Sequence, residues 1–361
     1  MSTHPTGASG PRIGVVGLGG YLPPRVRGNS EVARAAGVSP EWISERTGVH
    51  ARHVAAPGQA ASDLATAAVR AATEAAGIEP GDLSLLICAT STPDELGPAT
   101  ACRIQAALGA QRAVALDVSA ACSGWLFGTK VAHDWLAGSE RPGYAAVVGV
   151  EAYSKFLDPT DRATSVLFAD GAAATVLGPV PDSYGFTDFA LGSDGTRADY
   201  VLIPAGGSRM PADTGTLRGG AHRIRMDGRA VSHFMDEIFP RIVADALDRN
   251  GLTVEDIACL ACHQPNPAAL RRLTAHVGVP ADRLVVIGDR VGNIGAASAP
   301  YALATAAARN LLHRGDRVLL TVFGAGMTWG TALLHWSGAR AVGIDTAPTP
   351  TDTDDERPPT S

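Results

Sequence analysis

Apolar segments of strand length alternate with alanine- and glycine-rich segments of helix length along most of this sequence. Several helical segments begin after a capping residue, such as Ser39 before Pro40 or Asn266 before Pro267, and end at a glycine. The continuous apolar segments are typical of strands buried on both faces, and they include RIGVVGLG (12–19), LSLLICAT (83–90), VALDVSA (114–120), AAVVGVEA (145–152) and RVLLTVFG (317–324). The alternation predicts an α/β protein with largely parallel central strands.

Three further apolar stretches are predicted to form strands. The stretch from Val318 to Trp336 contains no Asp, Glu, Lys or Arg and is long enough to suggest a membrane helix. The glycines that divide it predict two buried strands joined by a turn instead, so we expect no membrane association. Segment 165–180 is predicted to be a strand pair that turns at Asp170-Gly171, and segment 283–288 a single strand.

Composition excludes several classes of protein. The chain has 361 residues, of which 45% are apolar, so it can bury a sizeable core. Lys plus Arg is 30 and Asp plus Glu is 36, a net charge of −6 without the basic stripe of a nucleic-acid-binding protein. The polar ends, 1–11 and 341–361, are predicted to be disordered tails. With no secretory signal visible and an odd count of five cysteines, we expect reduced thiols and a cytoplasmic location.

Two motifs have a spacing that suggests a bound cofactor, but the sequence around each of them does not fit a cofactor site. GLGGYL (17–22) follows a strand as a dinucleotide-binding loop does, but it lacks the third glycine and leads into two prolines. CLACH (259–263) has the spacing of a haem attachment site, yet it lies in a predicted buried strand, where residues three apart face opposite sides. We therefore expect no metal and no resident cofactor, and His263 to act as a base or donor at a strand end.

Three turns that follow buried strands offer side chains suited to covalent chemistry. Cys122 lies between a strand and a small-residue helix, whose N-terminal N–H groups would stabilise a thiolate. His263 ends another strand, and Asn293 lies between glycines just before a helix. A nucleophilic sulfur with an imidazole and an amide donor suits acyl transfer through a thioester. The turns at Cys122 and Asn293 are each followed by an alanine-rich helix and a strand, which leaves open whether the chain is duplicated.

With these turns in place, the chain resembles the β-ketoacyl-[acyl-carrier-protein] synthase III family of the thiolase superfamily. The resemblance runs from about Arg12 to Trp336 and depends on the order of six motifs: EWISERTGVHARH (41–53), DVSAACSGW (117–125), DPTDRATSVLFADGAAA (158–174), HQPN (263–266), GNIGAASAP (292–300) and GAGMTWGTALL (324–334). It implies a thiolase-like five-layer αβαβα sandwich of two pseudo-repeated halves, 12–182 and 183–340. It also implies a homodimer.

The resemblance further implies a role for each candidate catalytic residue. Cys122 would attack an acyl-CoA starter and hold the acyl group as a thioester. His263 and Asn293 would hydrogen-bond the thioester carbonyl of a malonyl extender and stabilise the enolate formed as carbon dioxide leaves. The backbone N–H groups of Cys122 and Ala325 would form the oxyanion hole.

Residues matching the family's substrate-binding positions are also present. Trp42 would stack on the adenine of CoA, while Arg46 and Arg162 would bind its phosphates. The complete set of implied binding residues is Trp42, Arg46, Arg162, Phe168, Met226, Asn266 and Gly97. Acyl-CoA and an acyl carrier protein are the implied partners.

Several positions depart from the family's pattern. Gly97 stands where the family commonly has a bulky residue that closes the acyl pocket across the dimer, which predicts a starter larger than acetyl. Ser232 and Ala268 stand where Phe and Arg are common, and Ala325 replaces a glycine. Arg271 and Arg272 lie one turn further on and could replace the lost cation. Relatives that condense without losing carboxylate use a Glu near Asp94 and Glu95, which leaves a non-decarboxylating reaction open.

The resemblance thus implies an acyl-CoA-primed decarboxylative Claisen condensation with a malonyl thioester, which would select the starter unit in fatty-acid or polyketide synthesis. One alternative is an acyltransferase that passes the acyl group from Cys122 to a thiol, hydroxyl or amine without decarboxylation. A second alternative is a non-catalytic partner subunit. Retention of Cys122, His263 and Asn293 together favours the condensing enzyme.

Overall fold

The computed structural model describes residues 12–141 and 143–345, and within them strands and helices alternate as the sequence predicts. The strands are β1 (Arg12–Tyr21), β2 (Arg25–Gly28), β3 (Ala51–Val54), β4 (Leu83–Ala89), β5 (Val114–Val118), β6 (Tyr144–Ala152), β7 (Asp170–Val180), β8 (Gly185–Ser193), β9 (Val201–Leu202), β10 (Arg225–Met226), β11 (Cys259–Cys262), β12 (Arg317–Gly324), β13 (Thr328–His335) and β14 (Arg340–Val342).

Local capping explains where several of the helices begin and end. The helices are α1 (Asn29–Ala36), α2 (Pro40–Thr47), α3 (Ala61–Ala76), α4 (Thr100–Leu108), α5 (Gly124–Ala137), α6 (Thr214–Arg218), α7 (Gly228–Asn250), α8 (Pro267–His276), α9 (Gly288–Val291) and α10 (Ser298–Ala308). The Ser39 and Asn266 side chains accept hydrogen bonds from backbone N–H groups in the first turns of α2 and α8, as predicted. Gly77 ends α3 in the left-handed conformation.

The strands form two main sheets, of mixed rather than largely parallel pairing. The first has the order β14-β1-β7-β6-β4-β5, and the second has the order β11-β12-β13-β8. In the first sheet β7 is antiparallel to both of its neighbours, whereas β4 is parallel to both β5 and β6. The prediction of parallel strands fails at β7 because the connection from β6, residues 153–169, contains no crossover helix of the kind that joins parallel strands.

Helices and sheets stack as five layers around three apolar cores. The central core joins the facing sides of the two sheets through α5 and α10. A second core lies between the first sheet and helices α3 and α4, and a third lies between the second sheet and helices α7 and α8. Successive residues such as Leu319 and Leu320 contribute to different cores, as expected for strands buried on both faces. This layering is the αβαβα sandwich that the resemblance implied.

The end of the described chain returns to the sheet in which it began. The chain changes from the first sheet to the second between Val180 and Gly185. Strand β14 then pairs in parallel with β1, with Arg340 opposite Gly17. The predicted tail from 341 onward is therefore wrong for residues 341–345, which include the end of this strand. The predicted disorder of residues 1–11 and 346–361 concerns residues outside the described ones.

Two predicted strand assignments are wrong for a common physical reason. Residues 165–167 form turns, Phe168 makes only an isolated bridge with Asn293, and only Asp170–Val180 is a strand, so no hairpin turns at Asp170. In 283–288, Leu284 makes only an isolated bridge with Leu260, and Gly288 begins α9. Both segments are apolar because they are buried, but their backbones pack as loops. Residues 318–336 form β12, β13 and the turn between them, as predicted, and no helix of the described chain is long and apolar enough to cross a membrane.

Candidate active site

A single cavity of about 1460 Å³ gathers nearly all of the predicted site residues. Its lining includes the side chains of Cys122, His263 and Asn293, which come from three distant parts of the chain. It also includes Ala325 and the predicted binding residues Trp42, Arg46, Arg162, Phe168, Met226 and Asn266. Gly97 is the one predicted site residue outside this lining, and it lies exposed in the loop between β4 and α4.

Cys122 lies in a tight turn between β5 and α5. The 3-10 turn Ala121–Ser123 leads into the helix, and Ala121 has a φ of 46°, which is unusual for a residue with a β-carbon. Gly324 at the end of β12 packs against this turn so closely that a β-carbon there would lie 2.8 Å from the backbone N of Cys122. The absence of a side chain at Gly324 therefore allows the cysteine turn to rest against the second sheet.

The electrostatic surroundings of Cys122 differ from the sequence-based expectation. Burial and, to a smaller extent, the nearby carboxylate of Glu151 raise the pKa of its thiol to about 12. A hydrogen bond with Tyr153 and the cysteine's own backbone N–H act in the opposite direction. Desolvation therefore outweighs the stabilisation that the backbone N–H gives to a thiolate. Formation of a nucleophilic sulfur requires a group that removes the proton.

His263 lies directly after β11, where it lines the cavity but is otherwise buried. It is 3% exposed, its backbone N–H donates to Thr321 O at 3.0 Å, and its ring meets Phe323 edge to face. Burial lowers the pKa of its imidazole to about 3, and a hydrogen bond with the backbone of Gly295 only partly opposes this shift. His263 is therefore neutral near pH 7, so its ring can donate one hydrogen bond without carrying a charge.

Asn293 is fixed on both sides of its backbone and at one end of its side chain. Its N–H donates to Leu167 O at 2.8 Å, and its carbonyl accepts from Ala169 N at 3.0 Å. Its side-chain Oδ1 accepts from Gly295 N at 2.9 Å. Because Oδ1 is occupied, the Nδ2 amide is the end left to donate to a molecule in the cavity.

The turn between β12 and β13 brings a third backbone element to the same cavity. Ala325 lines it, and the Thr328 hydroxyl lies within hydrogen-bond distance of both Ala325 O, at 3.3 Å, and Ala120 O, at 3.2 Å. This hydroxyl therefore connects the turn of Ala325 to the turn of Cys122. The two backbone N–H groups predicted to form an oxyanion hole thus belong to adjacent turns.

Exposed cationic and aromatic side chains lie along another part of the cavity lining. The Arg162 guanidinium lies 5.9 Å from the ring centre of Trp42, which is 36% exposed. Arg46 is exposed on the last turn of α2. Trp42, Arg46 and Arg162 are the side chains expected to bind adenine and phosphate. Asn266, which also lines the cavity, accepts a hydrogen bond from Ala269 N with its Oδ1 and so caps α8.

The other positions considered in the sequence analysis either line the cavity or lie outside it. Ser232 and Ala268 line the cavity, and so does Arg272, which pairs with Asp236 at 2.7 Å. Asp94 and Glu95 do not line it. Glu95 is exposed and forms a two-bond pair with Arg103, and Asp94 accepts from Ser62 N at 3.0 Å. Within the described residues of one chain, neither carboxylate reaches the cysteine cavity.

Sequence reasoning missed two buried residues beside the cysteine. The Tyr153 hydroxyl lies 4.0 Å from Cys122 Sγ, and Glu151 is fully buried on β6. A signal for Glu151 was present, since it is a carboxylate within the apolar segment AAVVGVEA and such a group needs hydrogen-bond donors. The sequence offered no comparable signal that Tyr153 approaches Cys122.

The described residues contain no other cluster that suggests metal chemistry. Among residues 12–141 and 143–345, no three His, Cys, Asp or Glu side chains are grouped to hold a metal ion. Cys259 and Cys262 are free thiols that pack into different apolar cores on opposite faces of β11. The haem-attachment spacing of CLACH is therefore incidental to a buried strand.

Comparison with protein families matches both halves of the chain. Residues 116–195 match the model described as 3-oxoacyl-[acyl-carrier-protein] synthase III, and residues 247–336 match the model for the C-terminal part of the same enzyme. The first match contains Cys122, and the second contains His263, Asn293 and Ala325.

Whole-chain relatives and a solved structure cover most of the sequence. The β-ketoacyl-[acyl-carrier-protein] synthase III of Caldanaerobacter subterraneus subsp. tengcongensis is 41% identical over 325 residues, which are 90% of this chain and 98% of that protein. Acetoacetyl CoA synthase NphT7 of Streptomyces sp. strain CL190 is also 41% identical, over 90% of this chain and 99% of its own length. The crystal structure of 3-oxoacyl-(acyl carrier protein) synthase III from Pseudomonas aeruginosa PAO1 superposes with a TM-score of 0.83 at 37% identity, over 90% of this chain and 98% of the other.

Proposed function

Because the chain belongs to the β-ketoacyl-[acyl-carrier-protein] synthase III family, we propose that it catalyses an acyl-CoA-primed decarboxylative Claisen condensation with a malonyl thioester. The observation that carries this proposal is the convergence of Cys122, His263 and Asn293 on one cavity. The reaction transfers an acyl group through Cys122 and needs no resident cofactor, since both thioesters are substrates. A cytoplasmic enzyme that selects the starter unit of a fatty-acid or polyketide pathway fits this chemistry.

In the first half-reaction, the sulfur of Cys122 attacks the thioester carbonyl of acyl-CoA. A tetrahedral intermediate forms, and its oxyanion accepts hydrogen bonds from the backbone N–H groups of Cys122 and Ala325. The intermediate collapses as the carbon–sulfur bond to CoA breaks, which leaves the acyl group on Cys122. The adjoining turns of Cys122 and Ala325, joined through the Thr328 hydroxyl, support this assignment.

In the second half-reaction, a malonyl thioester binds where CoA has left. His263 and the Nδ2 amide of Asn293 donate hydrogen bonds to its thioester carbonyl as carbon dioxide departs and negative charge develops on that oxygen. The resulting enolate carbon forms a bond to the acyl carbonyl carbon, and the bond from that carbon to Cys122 Sγ then breaks. The 3-oxoacyl thioester leaves, and the sulfur of Cys122 takes up a proton. A neutral imidazole and an amide suit this role, because neither donor loses its proton as the charge develops. The pKa of about 3 for His263 supports a neutral donor.

The starter is proposed to be larger than acetyl. Gly97 leaves open space where a side chain would stand, since a β-carbon built there meets no atom within 4 Å. In one chain Gly97 is exposed, so its proposed effect on the acyl pocket operates across a dimer. A dimer is supported by β5, which lies at the edge of the first sheet and is only partly covered, with Val114 47% exposed.

The proposal has two versions, in which the malonyl group is carried either by CoA or by an acyl carrier protein. Most family relatives are named for an acyl carrier protein, whereas one relative is named an acetoacetyl CoA synthase. Ala268 lacks the cation common at that position, and Arg272 is paired with Asp236. An acyl carrier protein remains the proposed partner, and parallel assays with malonyl-CoA and a malonylated carrier protein compare the two carriers directly.

Mass spectrometry with a panel of acyl-CoAs tests the proposal. The intact protein should gain the mass of one acyl group, and Cys122→Ala should not. Addition of a malonyl thioester to the acylated enzyme should then release carbon dioxide and a 3-oxoacyl product. Transfer of the acyl group to an acceptor without carbon dioxide would instead identify a plain acyltransferase. Absence of any adduct on Cys122 would identify a non-catalytic subunit.

A further inference from the structure

A phenol in the lining of the cavity and a fully buried carboxyl group lie near the thiol of Cys122. Tyr153 Oη is 4.0 Å from Cys122 Sγ, and Tyr153 is 5% exposed with its ring 4.8 Å from that of Phe168. Glu151 is two residues earlier in the chain and is fully buried. A phenol in contact with a nucleophilic sulfur can exchange a proton with it, provided that a second group accepts the phenol's own proton.

Glu151 is held by neutral hydrogen-bond donors on both of its oxygens. Ser91 N lies 3.2 Å from each carboxylate oxygen, the Thr92 hydroxyl donates at 3.0 Å, and Ala296 N donates at 3.5 Å. Burial raises the pKa of this carboxyl group to about 8, although hydrogen bonds from Ser91, Thr92, Ala296 and Tyr153 oppose the shift. The carboxyl group can therefore gain or lose a proton near neutral pH.

Gly295 allows this close arrangement. A β-carbon at Gly295 would lie 2.6 Å from Tyr153 Oη and 2.7 Å from Glu151 Cγ, and its φ of 51° also favours glycine. The same residue donates its N–H to Asn293 Oδ1. The phenol and the carboxyl group thus occupy space that a larger residue at this turn would fill.

We propose that Tyr153 and Glu151 form the proton relay that activates Cys122 for acylation, an inference that rests on the proposed role of Cys122. The S–H bond of Cys122 breaks as its proton passes to Tyr153 Oη, and the phenol's original proton passes to the carboxylate of Glu151. The sulfur then forms its bond to the acyl carbon. When the carbon–sulfur bond to CoA breaks, the CoA sulfur takes the proton back from Glu151 through Tyr153, and the relay is restored.

Charge balance favours this route over deprotonation by His263. A thiolate and an ionised Glu151 together would bury two negative charges close to one another, as the effect of Glu151 on the pKa of Cys122 indicates. Transfer of the proton from sulfur to carboxylate keeps a single negative charge in this cluster. His263, whose pKa lies at about 3, is a much weaker proton acceptor than Glu151.

Two conservative variants and a matched control test the relay. Tyr153→Phe removes the hydroxyl and keeps the ring, whereas Glu151→Gln keeps hydrogen-bonding capacity and removes the proton acceptor. Tyr144→Phe, at the opposite end of β6, removes a hydroxyl outside the cavity lining. Two rates are measured for each protein: single-turnover acylation of Cys122 by intact mass, and release of carbon dioxide from a malonyl thioester by enzyme that has already been acylated.

The relay predicts that Tyr153→Phe and Glu151→Gln slow acylation by about 100-fold or more, the usual loss on removing a proton-transfer group. Release of carbon dioxide does not involve the proton of Cys122, so it should keep the wild-type rate in both variants, and Tyr144→Phe should change neither rate. Unchanged acylation, or equal slowing of both half-reactions, would overturn the inference. If Tyr153→Phe does not fold, Glu151→Gln decides alone. Failure of the wild-type protein to acquire any acyl group would instead overturn the proposed function.

Discussion

The backbone N–H of Gly295 donates a 2.9 Å hydrogen bond to Oδ1 of Asn293, and this bond determines which end of the carboxamide faces the cavity. An amide side chain can present either its oxygen, which repels an enolate, or its NH2 group, which stabilises an enolate by donating a hydrogen bond. With Oδ1 engaged, the site offers the donor. The orientation of Asn293 is therefore set by the main chain of the next turn.

Replacement of Asn293 by Asp should separate the two half-reactions. Asp keeps an oxygen for the N–H of Gly295 but loses the donor and adds a negative charge next to the developing enolate. We expect carbon dioxide release from a malonyl thioester to fall by about 100- to 1000-fold, as for the loss of one oxyanion donor. Acylation of Cys122, followed by intact mass, should keep its rate. Undiminished decarboxylation in this variant would remove Asn293 from the mechanism.

The low pKa of His263 has a predictable effect on stability. Its pKa is 6.5 as a free side chain and about 3 in the folded protein, so the unfolded chain binds a proton at a pH where the native state does not. The free energy of unfolding should therefore decrease as the pH falls below about 6.5, by up to about 1.4 kcal/mol per pH unit. Denaturant unfolding of His263→Gln should show a weaker decrease in this range. An identical pH dependence in the two proteins would show that His263 does not remain neutral.

Gly324→Ala should damage the turn of Cys122. The new β-carbon would lie 2.8 Å from Cys122 N and 2.9 Å from Ser123 N, and both atoms are backbone. We expect a loss of about 1–3 kcal/mol in the free energy of unfolding, typical of overpacking, together with slower acylation. Gly58→Ala is the matched control, because a β-carbon there meets nothing within 4 Å. Equal stability of the two variants would contradict the close packing described at Gly324.

Arg162→Ala should weaken binding of acyl-CoA without altering the chemical step. Loss of one charge-assisted contact to phosphate is worth about 1.5–3 kcal/mol, which corresponds to a KM raised by at least 10-fold at unchanged kcat. Arg141→Ala, an exposed arginine outside the cavity lining, should leave KM unchanged. A decrease in kcat with an unchanged KM would assign Arg162 a different role.

The edge strand β5 provides the test of the proposed dimer. Val114→Asp places a charge at an exposed position of this edge. If β5 is the contact between two copies, two-fold symmetry brings equivalent edges together, and the added charges should shift the protein toward monomer. Sedimentation of the wild-type and variant proteins over a range of concentrations measures this shift. A wild-type protein that sediments as a monomer at all concentrations would contradict the dimer.

Much of the fold could be predicted because its signals are local. Capping residues, terminal glycines and continuous apolar strands identify elements without knowledge of the tertiary structure. The failures at 165–180 and 283–288 have the opposite origin. The backbones of Leu167 and Ala169 form hydrogen bonds with the backbone of Asn293. This segment of strand-like composition is therefore a loop that fixes the position of Asn293. Burial alone made it apolar, and no local pattern distinguishes that case from a strand.

The candidate site likewise has residues that local sequence could predict and residues whose position depends on tertiary packing. Cys122, His263 and Asn293 could be selected because each lies in a turn of small or polar residues that was predicted to follow a strand, although α9 precedes the turn of Asn293 in the structure. Tyr153 could not, because its approach to Cys122 depends on how β6 packs beside the turn of residues 121–123 and on the space left at Gly295. The pKa of Cys122 was misjudged for a related reason: desolvation is a property of the packed cavity and is absent from the sequence.

The pairing of β14 with β1 has a consequence for any attempt to divide the protein. Although the chain changes sheets after residue 180, a fragment ending near there would lack the strand opposite Gly17, Leu18 and Gly19. Its first strand would then be a bare sheet margin able to recruit foreign strands. The sequence halves are consequently not autonomous folding units, and separately expressed pieces should be recovered in native form only when they are produced together.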